Sequence, residues 1–157
     1  AAFMQTPFSY HRVKKEKSDM DTIRFKIGDS AAIARKFTEE EILSCQQLTN
    51  DYSPVYQLHN KKWDEPFHKA IVPALLIEGL IHQVVSEKLP GCPCVLLQKE
   101  LLFYDPVYRD EIITAKLDLL DCHNERHWLT MKVSCINEDN HEVIRGQLVV
   151  QLLGPRG

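Results

Sequence analysis

The sequence predicts an α+β fold in which an antiparallel sheet wraps around one long buried helix. Three observations support this prediction. Residues 73–88 are almost all apolar over the length of a helix, and a helix that is apolar on nearly all sides is buried. Four later stretches, between residues 94 and 153, have the apolar pattern and the length of strands. Two of the links between them resemble hairpin turns, so we expect an antiparallel meander.

A basic segment precedes the domain. Residues 1–21 hold four basic side chains from Arg12 to Lys17 and show little apolar periodicity. We therefore predict a basic N-terminal arm over 1–21 and one domain over 22–154. The composition of the arm is compatible with three roles: a solvated tail, the remnant of a mitochondrial presequence region, or a segment that docks on a protein or an RNA.

The start of the domain predicts two strands and the beginning of a helix. Residues 22–27 alternate as a strand does, residues 28–29 (Gly-Asp) form a turn, and residues 31–37 are a second strand candidate. Thr38 and Glu41 then have the spacing of a capping box, in which each side chain bonds the backbone N–H of the other residue. Acidic residues in this first turn also suit the positive end of the helix dipole.

The first helix is predicted to run to about Leu48. Ile42, Cys45 and Leu48 are expected on one side of it. The following stretch, 50–60, has no helical period and contains Pro54, so we interpret it as a loop that carries several polar and aromatic groups.

The long apolar helix has clear boundaries. Pro73 suits its first turn, where the missing N–H of proline costs nothing. Residues 89–91 (Leu-Pro-Gly) end it. Glu78 and His82 interrupt its apolar sequence, and an ionised carboxylate on a buried helix needs a partner.

The rest of the chain predicts strands. The strand candidates are 94–104, 111–121, 128–136 and 143–153. The second and third alternate between apolar and polar side chains over much of their length, as strands with one buried face do. Hairpin-like links are expected near 123–125 and 138–140.

Composition excludes several classes of protein. The 157 residues fit one domain, and 44% hydrophobic and 26% charged residues are ordinary for a globular protein. A net charge of -3 argues against general affinity for nucleic acid. No apolar run reaches the roughly 18 residues that cross a bilayer. The five cysteines match neither a disulfide framework nor a zinc pattern, which indicates reduced thiols in a cytosolic-type compartment, the mitochondrial matrix included.

Several short motifs occur in an order that is typical of one family. They are 27–29 (Ile-Gly-Asp), 37–41 (Phe-Thr-Glu-Glu-Glu), 48–54 (Leu-Thr-Asn-Asp-Tyr-Ser-Pro), 71–72 (Ile-Val), 89–91 (Leu-Pro-Gly) and 103–108 (Phe-Tyr-Asp-Pro-Val-Tyr). On these motifs, residues 24–153 resemble the MaoC-like hot-dog family. Within that family the resemblance is greatest to (R)-specific enoyl-CoA hydratases and mitochondrial 3-hydroxyacyl-thioester dehydratase type 2.

The resemblance implies a specific chemistry. Members of the family add water to trans-2-enoyl thioesters or remove it from (R)-3-hydroxyacyl thioesters. In them an Asp, and a His five residues later, hold the water and move its protons, with Asn-Pro between the two. The start of the long helix, usually within a His-Gly pair, gives a backbone N–H to the thioester oxygen. This logic needs a base, an acid and a stabilised enolate oxygen, with no metal and no cofactor.

The motif is incomplete in this sequence. Asp51 and Pro54 stand at the positions that the resemblance implies, whereas Ser53 replaces the Asn and Tyr56 replaces the His. Ala74 takes the place of the Gly and keeps an N–H for an oxyanion contact. We therefore expect Pro54, Tyr56 and Ala74 to line the thioester site. A phenol with an ordinary pKa near 10 is a poor base at neutral pH.

Histidines elsewhere could rebuild the acid–base pair. His82 lies at a helix position that is commonly Ser in the hydratases, and it is interpreted either as the partner of Asp51 or as a hydrogen-bonded core residue. Asp51 itself is either a proton acceptor or a loop residue that accepts backbone N–H groups. His59 and His68 flank the loop and are expected near the surface. Glu78 is expected near the site or at a dimer seam.

Two functional hypotheses follow. The altered motif favours a protein that has lost hydratase chemistry and serves as a structural or acyl-binding subunit of a larger mitochondrial assembly, a mitochondrial ribosome or a respiratory complex. The alternative is an active 3-hydroxyacyl-thioester dehydratase of mitochondrial fatty-acid synthesis that uses Asp51 with a relocated histidine. Both imply the mitochondrial matrix and an acyl group on acyl carrier protein or coenzyme A. We expect a homodimer, or pairing with another hot-dog chain, because a lone domain leaves a strand edge exposed.

Overall fold

Five antiparallel strands form one sheet in the computed structural model, which describes residues 24–56 and 69–154. The strands are β1 (Ser30–Arg35), β2 (Cys94–Phe103), β3 (Ile113–His123), β4 (Trp128–Ile136) and β5 (Glu142–Leu152). The helices are α1 (Glu39–Thr49) and α2 (Ala74–Glu87), and a 3-10 turn covers Pro54–Tyr56. The strand order is β1-β3-β4-β5-β2, so β2 lies at one edge although it precedes β3 in the chain.

The alternating stretches form the centre of the sheet. Every second residue of β3 from Ile113 to Leu119 is buried, and Leu117 lies opposite the equally buried Val133 of β4. The predicted links near 123–125 and 138–140 both join antiparallel neighbours. Period-two patterning therefore located these strands correctly, because one face of the sheet is covered and the other is not.

Helix α2 covers that buried face. Its buried residues have the spacing of one broad helical stripe: Ile77, Leu80, Ile81, Val84 and Val85. The helix packs on β1 and β3, which confirms the α+β fold with a sheet around one long helix. The opposite side of α2 carries the exposed residues Leu75, Gly79 and Ser86. The helix is therefore buried on one face rather than on all sides as its composition predicted.

The ends of α2 agree with the prediction to within one residue. Pro73 is the N-cap with φ -52° and ψ 135°, so it precedes the first turn instead of occupying it. At the other end Gly91 has a φ of 65°, and its N–H donates to the carbonyl of Val85 at 3.0 Å. Glycine takes this left-handed conformation without strain, so the chain can turn back toward the end of α2 at this position.

Helix α1 begins with the predicted capping box. The Glu41 N–H donates to the Thr38 hydroxyl at 3.3 Å, and the Thr38 N–H donates to the Glu41 carboxylate at 3.2 Å. The inward face was predicted less well, because Leu48 is 86% exposed and Gln46 is 1% exposed. A period of 3.6 from Ile42 places Cys45 and Gln46 inward, and Leu48 falls outside that face.

The prediction of a strand at 22–27 was wrong over its described part. Residues 24–27 contain no strand, and a turn begins at Lys26. The Lys26 N–H donates to the Asp29 carboxylate, and the Asp29 N–H donates to the Lys26 carbonyl, both at 2.9 Å. Side-chain bonding of this kind competes with strand pairing. The predicted arm, and also His59 and His68, lie outside the described residues.

Candidate functional site

The end of α1 fixes the start of the loop that carries Asp51. The Thr49 hydroxyl donates to the carbonyl of Cys45 at 2.7 Å. Asn50 then caps the helix in a left-handed backbone conformation with φ 56° and ψ 24°, which asparagine tolerates better than most residues. The Asp51 N–H donates to the Thr49 hydroxyl at 3.3 Å. Asp51 therefore leaves the helix in a defined direction, and it is exposed.

The carboxylate of Asp51 has two partners within the part of the chain that the structure describes. The Tyr56 hydroxyl donates to one oxygen at 3.1 Å, and the Ser53 N–H donates to the other at 3.3 Å. Asp51 thus satisfies a loop N–H, as one interpretation expected. It also contacts the side chain that stands where the resemblance implies a proton-transfer histidine.

Tyr56 is a hydrogen-bond donor in this pair. Burial raises the pKa of its phenol above the ordinary value near 10, and the hydrogen bond and the negative charge of Asp51 raise it further. The phenol is therefore protonated at neutral pH. It can orient Asp51 or a bound oxygen, but it cannot accept a proton in its resting state.

The 3-10 turn that contains Pro54 and Tyr56 is tied to the beginning of α2. The Ile71 N–H donates to the carbonyl of Val55 at 3.1 Å, two residues before Pro73. Ala74, the first residue of α2, is exposed, and the helix has no side-chain N-cap. Its first-turn N–H groups therefore lie at an open, electropositive helix end.

The structure gives His82 a different set of partners. Lys99 of β2 approaches the Nε2 atom of His82 at 3.3 Å and the Glu78 carboxylate at 2.8 Å. Burial lowers the pKa of His82, the positive charge of Lys99 lowers it further, and Glu78 opposes both effects. Lys99 thus supplies the partner that the sequence required for Glu78.

A cavity of about 510 Å³ lies between α2 and β2. It is lined by His82, Gln83 and Ser86 of the helix, and by Cys92, Cys94 and Leu96 opposite. Burial raises the pKa of both thiols, so they are protonated at neutral pH. The cavity is at the C-terminal half of α2, away from the helix end at Ala74.

Two side chains near these groups were missed by the sequence reasoning. Lys99 is the only half-buried cation that pairs with α2 in the described part of the chain, and it was overlooked between Gln98 and Glu100 in the middle of β2. Gln46 is fully buried on α1, and its Nε2 atom has no hydrogen-bond partner among the described residues. Its spacing of four from Ile42 was the available signal, but a polar residue was not considered for an inward position.

Comparison with known proteins supports the family resemblance. A mitochondrial 3-hydroxyacyl-acyl-carrier-protein dehydratase of Solanum lycopersicum is 26% identical over 151 residues, which is 95% of this chain and 90% of that protein. An (R)-specific enoyl-CoA hydratase of Aeromonas caviae is 21% identical over 133 residues, covering 85% of this chain and 99% of the relative. No family model matches the chain.

Solved structures have the same architecture. An (R)-hydratase from Aeromonas caviae superposes with a TM-score of 0.78 and 21% identity, over 82% of this chain and 98% of that one. A 3R-hydroxyacyl-ACP dehydratase complex from Mycobacterium tuberculosis has a TM-score of 0.66 and 13% identity, over 80% of this chain and 96% of that one. Hot-dog proteins of this kind thus include assemblies of more than one chain. Neither described helix has the length and apolarity that a bilayer crossing needs. The chain has the MaoC-like hot-dog fold.

Proposed function

We propose that this protein binds acyl thioesters in a MaoC-like cradle and has lost the hydratase chemistry. In this proposal it acts in the mitochondrial matrix as an acyl-binding or structural subunit of a larger assembly, a mitochondrial ribosome or a respiratory complex. One observation carries the proposal: the Tyr56 hydroxyl donates to Asp51 at 3.1 Å, where a hydratase of this family has a histidine.

The loss of chemistry follows from the proton transfers that hydration requires and the groups that are present to make them. Hydration of an enoyl thioester takes a proton from water and delivers one to the carbon beside the thioester. Asp51 can accept the first proton. The Tyr56 phenol is already protonated, and its raised pKa makes it a weak acid as well as a poor base. The pair therefore contains a proton acceptor but lacks a second group that exchanges protons readily near neutral pH.

Retention of the thioester cradle is supported by the helix end. Ala74 starts α2 with no side-chain cap, and it is exposed. A backbone N–H at an uncapped helix end can donate to a thioester oxygen, and the helix dipole favours the partial negative charge there. The bond from Ile71 to Val55 keeps the Asp51 loop beside this end.

A relocated histidine finds less support than the lost-chemistry proposal. Lys99 lies against the Nε2 atom of His82, and a lysine ammonium can only donate to it. That nitrogen is then an acceptor occupied by the protein itself. The contacts of His82 connect α2 with β2 and do not include Asp51 in the described part of the chain.

An active dehydratase is the second candidate. Its support is the similarity to the Solanum lycopersicum enzyme, which extends over 95% of this chain. In that case Asp51 is the base, and Tyr56 orients the carboxylate or the water without exchanging a proton.

A hydration assay with crotonyl-CoA separates the two candidates. The loss of enoyl-thioester absorbance measures the rate. We expect wild-type protein to give the uncatalysed rate, and Tyr56→His to raise the rate about 100-fold, because a positioned acid–base group contributes roughly 10²–10⁴-fold. Ser53→Asn combined with Tyr56→His tests the rest of the motif. Tyr52→His is the matched control, since Tyr52 is an exposed tyrosine of the same loop outside the pair. Fast wild-type turnover that Asp51→Asn abolishes would instead establish the dehydratase.

Binding and assembly need separate measurements. Calorimetry with butyryl-CoA should give a dissociation constant in the micromolar range, and the absence of binding would remove the acyl-binding part of the proposal.

Native mitochondrial extract, fractionated by particle size, should contain the protein in a large particle. Elution only as a free dimer would argue against the subunit role.

A further inference from the structure

Two thiols line the cavity between α2 and β2. Cys92 and Cys94 belong to the segment that leads from α2 into β2, and both are half-buried. All five cysteines of the chain are free. Of the other three, Cys45 and Cys135 are buried, and Cys122 donates a hydrogen bond to a backbone carbonyl. The cavity thus has two partly accessible thiols on one wall.

The backbone holds these two cysteines in place. The Gly91 N–H donates to a carbonyl of α2, and the Leu153 N–H donates to the carbonyl of Pro93, both at 3.0 Å. Between these two anchors the chain bends at Cys92 and Pro93, and Cys94 is the first residue of β2. A bend brings two residues that are one apart closer together than a strand does, toward the roughly 4.4–6.8 Å between Cα atoms that a disulfide spans.

The two thiols differ in their electrostatic surroundings. Burial raises the pKa of Cys92, and the positive charge of Arg24 opposes this effect. Burial also raises the pKa of Cys94, and the negative charge of a Cys92 thiolate raises it further. The thiolate is the nucleophilic form of cysteine. The cation favours Cys92 as the first sulfur to ionise, and the influence of Cys92 on Cys94 indicates that the two side chains lie within electrostatic reach.

The helix side of the cavity is polar. His82, Gln83 and Ser86 line it with an imidazole, an amide and a hydroxyl. Such groups can hydrogen-bond the peptide and carboxylate groups of a hydrophilic molecule. The volume of about 510 Å³ is within the range of small-molecule sites. The cavity therefore suits a hydrophilic reagent that reacts with thiols.

We propose that Cys92 and Cys94 form a thiol–disulfide exchange site for low-molecular-weight disulfides of the glutathione class. Cys92 loses its proton to solvent, and its sulfur attacks one sulfur of glutathione disulfide, whose S–S bond breaks and releases one glutathione thiol. The Cys94 sulfur then attacks the Cys92 sulfur of the mixed disulfide and releases the second glutathione. Two electrons and two protons pass from the cysteine pair to glutathione disulfide, and a Cys92–Cys94 disulfide remains.

The test incubates the reduced full-length chain with excess glutathione disulfide at pH 7 and at pH 8. After an acid quench, N-ethylmaleimide labels the remaining thiols of the unfolded chain, and intact mass gives their number. Wild-type protein should lose two labelled thiols, and peptide mapping should find the link between Cys92 and Cys94. The loss should be about tenfold faster at pH 8, because the thiolate fraction rises tenfold per pH unit below the pKa. Dithiothreitol should restore all five thiols.

Three variants locate the exchange. Cys94→Ser should stop at a mixed disulfide on Cys92, and Cys94→Ala repeats this test in case the serine variant folds poorly. Cys92→Ser should form no internal disulfide. Cys122→Ser is the matched control and should still lose two thiols.

Two results overturn the inference. The first is wild-type protein that keeps five labelled thiols after incubation. The second is wild-type protein that retains glutathione on either cysteine of the pair without forming the link. Both would leave the proposed function standing, because the exchange does not involve the Asp51 loop or the start of α2.

Discussion

At the residue scale, Asp51 and Tyr56 are joined by one hydrogen bond, and its proton stays on the phenol. The phenol donates at 3.1 Å, and each influence on Tyr56 acts to keep its proton in place. A histidine in the same position would accept and release a proton near pH 6.5. A tyrosine in place of a histidine therefore moves the pH at which this position exchanges protons out of the physiological range.

Titration of Tyr56 tests this view directly. The difference in phenolate absorbance between wild-type protein and Tyr56→Phe should have a midpoint above pH 10. Asp51→Asn should lower that midpoint, because it removes the negative charge that opposes ionisation, while the burial of the phenol remains. Tyr52→Phe, which changes an exposed phenol, serves as the control. A midpoint well below 10 would mean that a phenolate is available and would contradict the lost-chemistry proposal.

The same pKa has a consequence for stability. The folded chain holds the Tyr56 proton to a higher pH than the unfolded chain does. Stability from this group is therefore complete below about pH 10 and is lost as the pH rises through the pKa of the folded state. Chemical denaturation of wild-type protein and Tyr56→Phe at pH 8 and pH 11 should show a smaller loss for the variant.

Sequence reasoning reached Asp51 and Tyr56 but missed Gln46. The first two were found because a local motif places them at fixed spacing. Gln46 has no motif, and its burial depends on how α1 packs against α2, which no local pattern states. An unpaired buried amide costs about 1–3 kcal/mol, so a polar residue is not the ordinary expectation for an inward position.

At the element scale, strands and helices were predicted well where one face is covered. Residues 128–136 form β4 with the predicted bounds, because its alternation reflects burial on one side. Residues 24–27 alternate in the same way but pair with no strand of the described chain, and the Asp29 carboxylate accepts the Lys26 N–H in a turn. Whether an alternating segment becomes a strand therefore depends on a pairing partner that is distant in sequence.

The junction of α2 and β2 depends on one cation. The Lys99 side chain is 25% exposed and the Glu78 side chain 20%, so their ion pair lies between a surface bridge and a buried one. Surface pairs contribute about 0–1 kcal/mol, and an orphaned buried charge costs about 3–5 kcal/mol. We therefore expect an unpaired Glu78 carboxylate to destabilise the folded chain if Lys99 is removed.

Lys99→Met should lower the free energy of unfolding by about 1–2 kcal/mol, an order-of-magnitude value between those two limits. The variant should also raise the pKa of His82, because the positive charge that lowers it is gone and Glu78 remains. Denaturant unfolding and NMR titration of the imidazole measure the two effects. Lys116→Met is the control, since that lysine is 46% exposed and pairs with Asp118 on the surface. An unchanged His82 pKa in Lys99→Met would contradict the described contact.

At the scale of the whole molecule, the described sheet has two edge strands, β1 and β2, and β2 is the longer of the two. β2 pairs with β5 on one side, and in the described chain no strand covers its other side. Large apolar side chains along it are exposed: Val95, Leu96, Leu102 and Phe103. An edge of ten residues with this composition is a surface that proteins usually cover. This supports the expectation of a homodimer or of pairing with another hot-dog chain through β2.

Leu102→Lys tests that arrangement, because a lysine on an edge strand opposes strand-to-strand pairing. Leu102 is 51% exposed, so the substitution costs the isolated chain little. If β2 forms the interface, the dimer dissociation constant should rise at least tenfold, as light scattering after size exclusion can measure. Leu120→Lys is the matched control: Leu120 is 44% exposed but belongs to β3, which lies between β1 and β4. Dissociation by Leu120→Lys and not by Leu102→Lys would move the interface away from β2, and the edge would then need a different partner.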